Sequence, residues 1–170
     1  SLNPVDIISS SIDALTEYPI SVKKISRFFL TPAFPAGSGP DFVNAAIMTR
    51  TKLTPQKLLA VLHEVERRNA RLREERWAAR TLDLDLISYG DLITPSFEEF
   101  RYWFDLPLMR QTKESPNKLL LPHPRFHHRS FVLGPLLDIA PDWVHPVLGL
   151  SVAELYAQLP KKAHYELRAI

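Results

Sequence analysis

Apolar residues recur at helical spacing in several parts of the chain. Asn3-Pro4 has the form of an N-cap followed by a first-turn proline, and Ile8, Ile12 and Leu15 follow on one side of the predicted helix. A second helix is predicted to open at Thr54-Pro55, and one of its sides carries Leu58, Leu62, Val65 and Asn69. Ser151 with Glu154 forms a capping box, so we expect a helix that reaches about Gln158. Phe131 to Ile139 is predicted as a short helix.

Strand-like runs lie between these helices. They are Ile20 to Leu30, Phe42 to Thr49, Thr81 to Ser88, Leu119 to Leu121 and His164 to Ile170. The Pro/Gly stretch from Ala33 to Pro40 is predicted to be a loop. The order helix, strand, strand, helix, strand predicts an α+β fold. It would be a split βαβ, ferredoxin-like core if a strand preceded Asn3.

Residues 94 to 118 resist assignment. They mix Phe97, Phe100, Tyr102, Trp103 and Phe104 with charges, and we interpret them as a helical insertion. The whole chain, 1–170, is otherwise predicted to be a single domain large enough to bury a core.

Composition and charge argue against several classes of protein. The net charge of +2 is too small to argue for nucleic acid, and no apolar run approaches the roughly 18 residues of a membrane span. There is no cysteine and no signal peptide, so we expect neither a disulfide framework nor thiolate chemistry, and a cytoplasmic location. The sequence leaves the oligomeric state open: we expect a monomer, with a dimer as the alternative.

The segment from Arg71 to Asp85 carries the most chemical information. Asp83 and Asp85 alternate with Leu82, Leu84 and Leu86, so in an extended chain both carboxylates point to one face. One or two carboxylates suit Mg²⁺ that is bound together with substrate phosphates. The alternative is a half-exposed strand whose aspartates only face solvent, although aspartate is disfavoured in strands.

Arginines cluster just before this pair. Six of them fall within 14 positions, namely Arg67, Arg68, Arg71, Arg73, Arg76 and Arg80. Guanidinium groups bind phosphates through paired hydrogen bonds. Because the cluster lies beside two carboxylates that could hold a metal ion, it predicts a metal–nucleotide site. It could instead be a solvated helix face paired with nearby glutamates. Trp77, in the same run, could cover a planar ligand or belong to the core.

Two further groups of polar residues are candidates. Pro122-His123-Pro124 holds a histidine in a rigid turn, and His127, His128 and Arg129 extend it into a predicted basic patch near neutral pKa, with a zinc site as the less favoured alternative. Asn44 is a polar residue in an otherwise apolar strand. It could form structural hydrogen bonds, or it could bind the hydrogen-bonding edge of a heterocycle. No P-loop and no kinase glycine-rich loop is present.

These motifs resemble the 6-hydroxymethyl-7,8-dihydropterin pyrophosphokinase family. Arg76-Trp77-Ala78-Ala79-Arg80-Thr81-Leu82-Asp83-Leu84-Asp85 is similar to that family's R-W-G-P-R-T-L/I-D-L/I-D signature. Leu121-Pro122-His123-Pro124-Arg125 with Arg129-Ser130-Phe131-Val132-Leu133 resembles its second block. Pro40-Asp41-Phe42-Val43-Asn44-Ala45-Ala46 resembles its pterin-strand motif, and Ser26-Arg27-Phe28-Phe29-Leu30-Thr31-Pro32 resembles its earlier strand. Order and spacing agree over nearly the whole chain.

The resemblance implies transfer of a pyrophosphoryl group from ATP to the pterin hydroxymethyl group, giving AMP, in folate biosynthesis. It implies that Asp83 and Asp85 hold two Mg²⁺ ions and act in catalysis with Arg71 and Arg80. It assigns ATP contacts to His63, Glu66, Arg71, Arg73, Arg76, Trp77, Arg80, Leu86, Lys118, His123 and Arg129. It assigns the pterin pocket to Thr31, Pro32, Phe34, Phe42, Asn44, Trp77 and Phe131.

The implied fold is a three-layer α-β-α sandwich on a ferredoxin-like antiparallel sheet. The chain departs from the family in four ways: Ala78-Ala79 replaces Gly-Pro, Ala70 replaces a glycine, the insertion is longer than usual, and the N-terminal strand with its G-S/A-N motif is missing from the given chain. Two other functions remain open, a non-catalytic nucleotide-binding domain and a metal-dependent phosphoesterase or nuclease.

Overall fold

The computed structural model describes residues 3–33, 39–71, 82–111 and 113–170. Within these ranges the chain is α+β, as predicted. Its helices are α1 Pro4–Leu15, α2 Pro55–Arg71, α3 Phe97–Phe104, α4 Leu108–Gln111, α5 Ser130–Ile139, α6 Val152–Ala157 and α7 Lys161–Glu166, with a 3-10 turn at Phe126–His128. Its strands are β1 Ile20–Ile25, β2 Phe29–Thr31, β3 Phe42–Asn44, β4 Ile47–Thr51 and β5 Arg168–Ala169. None of the described helices is long and apolar enough to cross a membrane.

Local signals predicted the helix starts well. The Asn3 side chain accepts a hydrogen bond from the Val5 N–H at 3.0 Å, which caps α1. Ser151 and Glu154 form the expected capping box, and α6 ends with Gln158 as its C-cap. The insertion is helical, as expected, over α3 and α4. These elements begin where a side chain can satisfy amide groups that the first turn leaves without partners.

The two long strands predicted at Ile20–Leu30 and Phe42–Thr49 are wrong in detail, because each is interrupted. Ser26 lies where the two segments meet: its N–H donates to the Ala46 carbonyl at 2.9 Å, and its Oγ accepts the Ala46 N–H at 2.9 Å and donates to the Arg27 carbonyl at 2.7 Å. A side-chain hydroxyl therefore takes the place of a backbone acceptor for the Ala46 N–H. Beyond the breaks the chain enters a second sheet. The described strands form a β1–β4 pair and a β3-β2-β5 sheet, and every pairing is antiparallel.

Three other segments that were predicted to be strands have a different structure. Residues 82–88 belong to neither sheet, because the Leu84 N–H donates to Glu66 and the Ile87 carbonyl accepts from His123. Leu121 forms a single bridge with Thr94 in place of a strand. The end of the chain begins as α7, supported by an ion pair between Lys162 and Glu166, and only Arg168–Ala169 is a strand. Residues 82–88 and Leu121 thus bond at single points to distant parts of the chain, and most of the last segment is helical.

Two apolar clusters hold these elements together. The first joins α1, β1 and α2 through Leu15, Ile20, Leu58, Leu62 and Val65. The second joins the 3-10 turn, α5 and α6 through Phe126, Leu133, Val152, Leu155 and Leu159. Burial of each such side chain contributes roughly 1.5–3 kcal/mol. The predicted face of α2 is confirmed, since its three aliphatic members are buried and the Asn69 amide donates to the Val65 carbonyl.

Candidate active site

The carboxylate segment, residues 82–88, lies on the first apolar cluster. Leu82, Leu84 and Leu86 pack partly buried against that cluster, whereas Asp83 and Asp85 are exposed. The alternation predicted from the sequence is therefore present without a sheet ladder. The Leu84 N–H donates to Glu66 Oε1 at 2.6 Å. The resemblance placed Glu66 at the nucleotide. In the structure its carboxylate connects the segment to α2 through this hydrogen bond.

A turn that contains His123 lies against the end of this segment. The His123 N–H donates to the Ile87 carbonyl at 2.7 Å, and its Nδ1 accepts the Arg125 N–H at 3.1 Å. Burial lowers the pKa of His123 below its ordinary value; the charges of Arg129 and Arg125 act in the same direction, and the Asp85 carboxylate opposes them. Asp85, His123 and Arg129 therefore lie within electrostatic reach of one another.

Arg129 connects this charged group to the aromatic part of the site. It is the N-cap of α5, and its guanidinium carbon lies 5.8 Å from the centre of the Phe131 ring. Burial lowers the Arg129 pKa, Arg125 adds to that effect, and Asp85 opposes it. The sequence reasoning did not single out Arg125 as a site residue, although its position directly after the Pro-His-Pro turn was the signal that could have identified it.

The predicted pterin residues lie on β2, β3 and α5. Thr31 pairs with Phe42 across the β2–β3 ladder, and the Asn44 Nδ2 donates to Thr31 Oγ1 at 2.9 Å. Thr31 is buried, whereas the rings of Phe42 and Phe131 are exposed by 57% and 39%. Asn44 therefore has the structural bond that was one of its two readings. Its carbonyl oxygen and second N–H are groups of the kind that could bind a heterocycle.

The remaining predicted residues are dispersed or lie outside the described ranges. His63 is exposed on α2, Pro32 follows β2, and the Lys118 Nζ lies 3.2 Å from Glu99 Oε1 on α3. Phe34, Arg73, Arg76, Trp77 and Arg80 are outside the residues that the structure describes, as is the side chain of Arg71. What the sequence predicts for these residues stays a prediction.

The basic patch near neutral pKa that was predicted for His123, His127, His128 and Arg129 is wrong at His127. Burial lowers the pKa of His127 to about 4, and burial followed by the nearby Arg129 lowers that of His128 as well. His127 is therefore neutral near pH 7, and its ring stacks on Phe104 with centroids 4.6 Å apart. In the described part of the chain, no three His, Cys, Asp or Glu residues come together as metal ligands.

The chain is similar to several known proteins. A family model described as 7,8-dihydro-6-hydroxymethylpterin-pyrophosphokinase matches residues 2–141. A 2-amino-4-hydroxy-6-hydroxymethyldihydropteridine pyrophosphokinase of Synechocystis is 37% identical over 140 residues, which are 82% of this chain and 61% of that protein. The enzyme of that name from Haemophilus influenzae is 31% identical over 84% of this chain and 78% of its own length.

A longer relative contains a similar region as a small part. A folic acid synthesis protein of Pneumocystis carinii is 32% identical over 92% of this chain but only 18% of its own length. The chain therefore spans less than two thirds of some of the curated relatives that it matches. The family match nevertheless covers most of its residues and includes the carboxylate segment, the His123 turn and the exposed aromatic residues. The chain belongs to the 7,8-dihydro-6-hydroxymethylpterin-pyrophosphokinase family.

Proposed function

We propose that this chain transfers the terminal pyrophosphoryl group of ATP to the hydroxymethyl group of 6-hydroxymethyl-7,8-dihydropterin in folate biosynthesis. The substrate hydroxyl oxygen attacks the β-phosphorus, the bond from that phosphorus to the α,β-bridging oxygen breaks, AMP leaves, and the hydroxyl proton is released. The single observation that carries the proposal is the position of Arg129. Its guanidinium carbon lies 5.8 Å from the centre of the Phe131 ring, and the Asp85 carboxylate opposes the lowering of its pKa, so it is coupled to residues of both proposed subsites.

The carboxylate pair fits Mg²⁺. Asp83 and Asp85 are both exposed on a segment whose leucines face the core, and their oxygens are the hard donors that Mg²⁺ prefers. With only two carboxylates from the protein, most of the coordination positions of Mg²⁺ would be filled by phosphate oxygens and water. Bound Mg²⁺, of which we propose two ions, would neutralise phosphate charge at this point. The chain's own part is to hold the carboxylates in place, which it does through the leucines and through the hydrogen bond from Leu84 to Glu66.

Basic and hydrogen-bonding side chains supply the other half of the proposed phosphate site. Arg129 and His123 lie beside Asp85, where they can orient the β- and γ-phosphates. We propose that four further arginines bind the phosphates, namely Arg71, Arg73, Arg76 and Arg80. We propose His63, Glu66, Leu86 and Lys118 as further ATP contacts. Phosphoryl transfer depends mainly on positioning and electrostatics, so the site needs no strong base.

We place the pterin between the exposed rings of Phe42 and Phe131, next to Thr31, Pro32 and Asn44. Flat heterocycles stack on aromatic faces, and the exposed rings of these two phenylalanines are accessible for such stacking. The bond from Asn44 to Thr31 fixes the amide, so its free hydrogen-bonding groups have one orientation. Phe34 and Trp77 are proposed as further pocket residues.

The finer features of the family architecture are also proposals. We propose a three-layer sandwich on a ferredoxin-like sheet, within a single domain interrupted at 94–118. The arrangement of the carboxylate segment supports this, because its leucines lie on the same cluster as α1, β1 and α2. A monomer in the cytoplasm remains our expectation.

An assay with labelled ATP tests the function. Label in the α-phosphate should appear in AMP, and label in the γ-phosphate should appear in a doubly phosphorylated pterin, only when Mg²⁺ and hydroxymethyldihydropterin are both present. Release of inorganic phosphate or cleavage of nucleic acid would identify a phosphoesterase or nuclease. Nucleotide binding with no product would identify a binding domain.

A further inference from the structure

The insertion, residues 94–118, packs into the molecule. The backbones of Thr94 and Leu121 close its base with two hydrogen bonds of 3.0 and 3.2 Å. Phe100 of α3 is completely buried, and its ring lies 5.6 Å from that of Phe104. Leu106, which follows α3, is also buried. A segment anchored in this way can hold its neighbours in place.

Its main neighbour is the phosphate turn, by which we mean residues 122–129. Phe104 stacks on His127 with a centroid distance of 4.6 Å and an interplanar angle of 24°. The guanidinium carbon of Arg101 lies 5.5 Å from the centre of the Phe104 ring, so the ring is covered from a second direction. The Arg125 Nη2 donates to the Gln111 carbonyl at the end of α4, at 3.4 Å. Both contacts fall within the seven residues from His123 to Arg129.

His127 is suited to such packing. Its Nδ1 is buried without a hydrogen-bond partner among the described residues, and its Nε2 lies 3.3 Å from His128 Nδ1. The ring therefore has one nitrogen contact, to His128, and its face packs on Phe104. Burial keeps it neutral near pH 7, so stacking on a phenylalanine brings no charge out of water.

We propose that the insertion positions the phosphate turn, and that Phe104 is a positioning residue which acts on His123 and Arg129 through His127. This rests on the proposed function, because it assumes that the turn binds the phosphates of ATP. The turn is also tied to the carboxylate segment by the hydrogen bond from His123 to Ile87. It therefore contacts both the carboxylate segment and the insertion.

Calorimetry with Mg²⁺ and a non-hydrolysable ATP analogue tests the positioning, with pterin binding measured separately. Phe104→Ala should weaken nucleotide binding by about tenfold, the size of a lost aromatic pair, and leave pterin binding unchanged. Phe104→Tyr keeps the ring and should restore nucleotide affinity. Phe97→Ala is the matched control, because Phe97 lies on the same helix and is 52% exposed.

Hydrogen exchange in the ligand-free proteins provides a readout that does not depend on the proposed function. Phe104→Ala should speed amide exchange in the phosphate turn about tenfold while exchange in α6 stays unchanged. A folded Phe104→Ala protein with wild-type nucleotide affinity and exchange would overturn the inference, as would equal losses for nucleotide and pterin. If the wild-type protein bound no nucleotide, the proposed function would fail, and exchange at the turn would still decide whether the insertion orders it.

Discussion

At the scale of single residues, polar side chains in the site are fixed by the backbone or by one another before any ligand arrives. Asn44 bonds to Thr31, Glu66 bonds to the Leu84 N–H, and His123 accepts from the Arg125 N–H. Each of these bonds uses one hydrogen-bonding group and leaves others available. Prior orientation of this kind reduces the ordering that binding would otherwise require.

Asn44→Ala should weaken pterin binding and barely change ATP binding. The substitution removes a polar partner from a partly buried site, which costs on the order of 1–3 kcal/mol. Calorimetry with each ligand separately measures the effect. Asn69→Ala serves as the control, because that amide bonds only within α2 among the contacts described. Equal losses for both ligands, or no loss for pterin, would make Asn44 purely structural.

Asp83→Ala and Asp85→Ala should each reduce turnover by about 10³-fold or more while the protein stays folded, since each removes electrostatic stabilisation of the transferred group. Steady-state rates at saturating Mg²⁺, with circular dichroism to confirm folding, provide the measurement. Asp91→Ala is the matched control, because Asp91 is an exposed aspartate just beyond the segment. A near-wild-type rate in either folded variant would contradict the metal assignment.

At the scale of elements, hydrogen bonds and an ion pair between the β1–β2 segment and α5 stabilise the arrangement of the site. Arg27 lies in the break between β1 and β2, and it meets Asp138 of α5 with its backbone N–H, its Nε and its Nη2 at 2.9–3.0 Å. The Lys24 Nζ donates to the Ile139 carbonyl at the end of the same helix. These contacts fix α5, which carries Phe131, against the strands that carry Thr31 and Asn44.

The capping box of α6 gives a prediction at this scale. Ser151→Ala should lower the free energy of unfolding by about 1 kcal/mol, because the Glu154 N–H loses its acceptor at the start of the helix. Urea denaturation measures the change. Glu154→Gln keeps an acceptor for the Ser151 N–H and should cost much less. The prediction fails if both variants lose the same stability or if neither loses any.

At the scale of the whole molecule, His145 links the insertion to the second apolar cluster. It is completely buried, and its ring lies 6.3 Å from Phe100, 5.6 Å from Phe126 and 5.9 Å from Trp143. Its Nδ1 accepts the N–H groups of Val147 and Leu148 at 3.1 and 3.2 Å. Burial lowers its pKa to about 4, so the folded protein holds this ring neutral.

Stability should therefore fall in mild acid. Between pH 6.5 and about 4 the unfolded chain binds a proton at His145 that the folded protein excludes, so the free energy of unfolding rises with pH across this window. The contribution of His145 is at most about 3 kcal/mol. Burial lowers the pKa of His123, His127 and His128 too, which adds in the same direction.

Urea denaturation at several pH values between 4 and 7.5 measures this dependence. His145→Asn should flatten the curve, because asparagine does not titrate. Phe97→Ala should leave the slope unchanged, because it removes an exposed side chain that does not titrate. Stability that is constant through the window, or that rises as the pH falls, would contradict the assignment.

The sequence by itself determined what depends on near neighbours along the chain. Helix starts at Asn3, Thr54-Pro55 and Ser151 follow from caps and prolines, and the buried face of α2 follows from the helical period. The alternation of Asp83 and Asp85 with leucines predicted which side chains face solvent, even though no ladder forms there. The resemblance carried by these same residues led to the family.

Tertiary structure decided what depends on residues far apart in sequence. The breaks at Ser26 and Ala46 need both segments to be present at once, and the two-sheet pairing follows from them. The neutrality of His127 comes from burial, which no local pattern reveals. Phe104 became a candidate only when folding stacked it on His127. Caps and periodicity act within a few residues, whereas burial, strand pairing and electrostatic coupling arise only after the chain has packed.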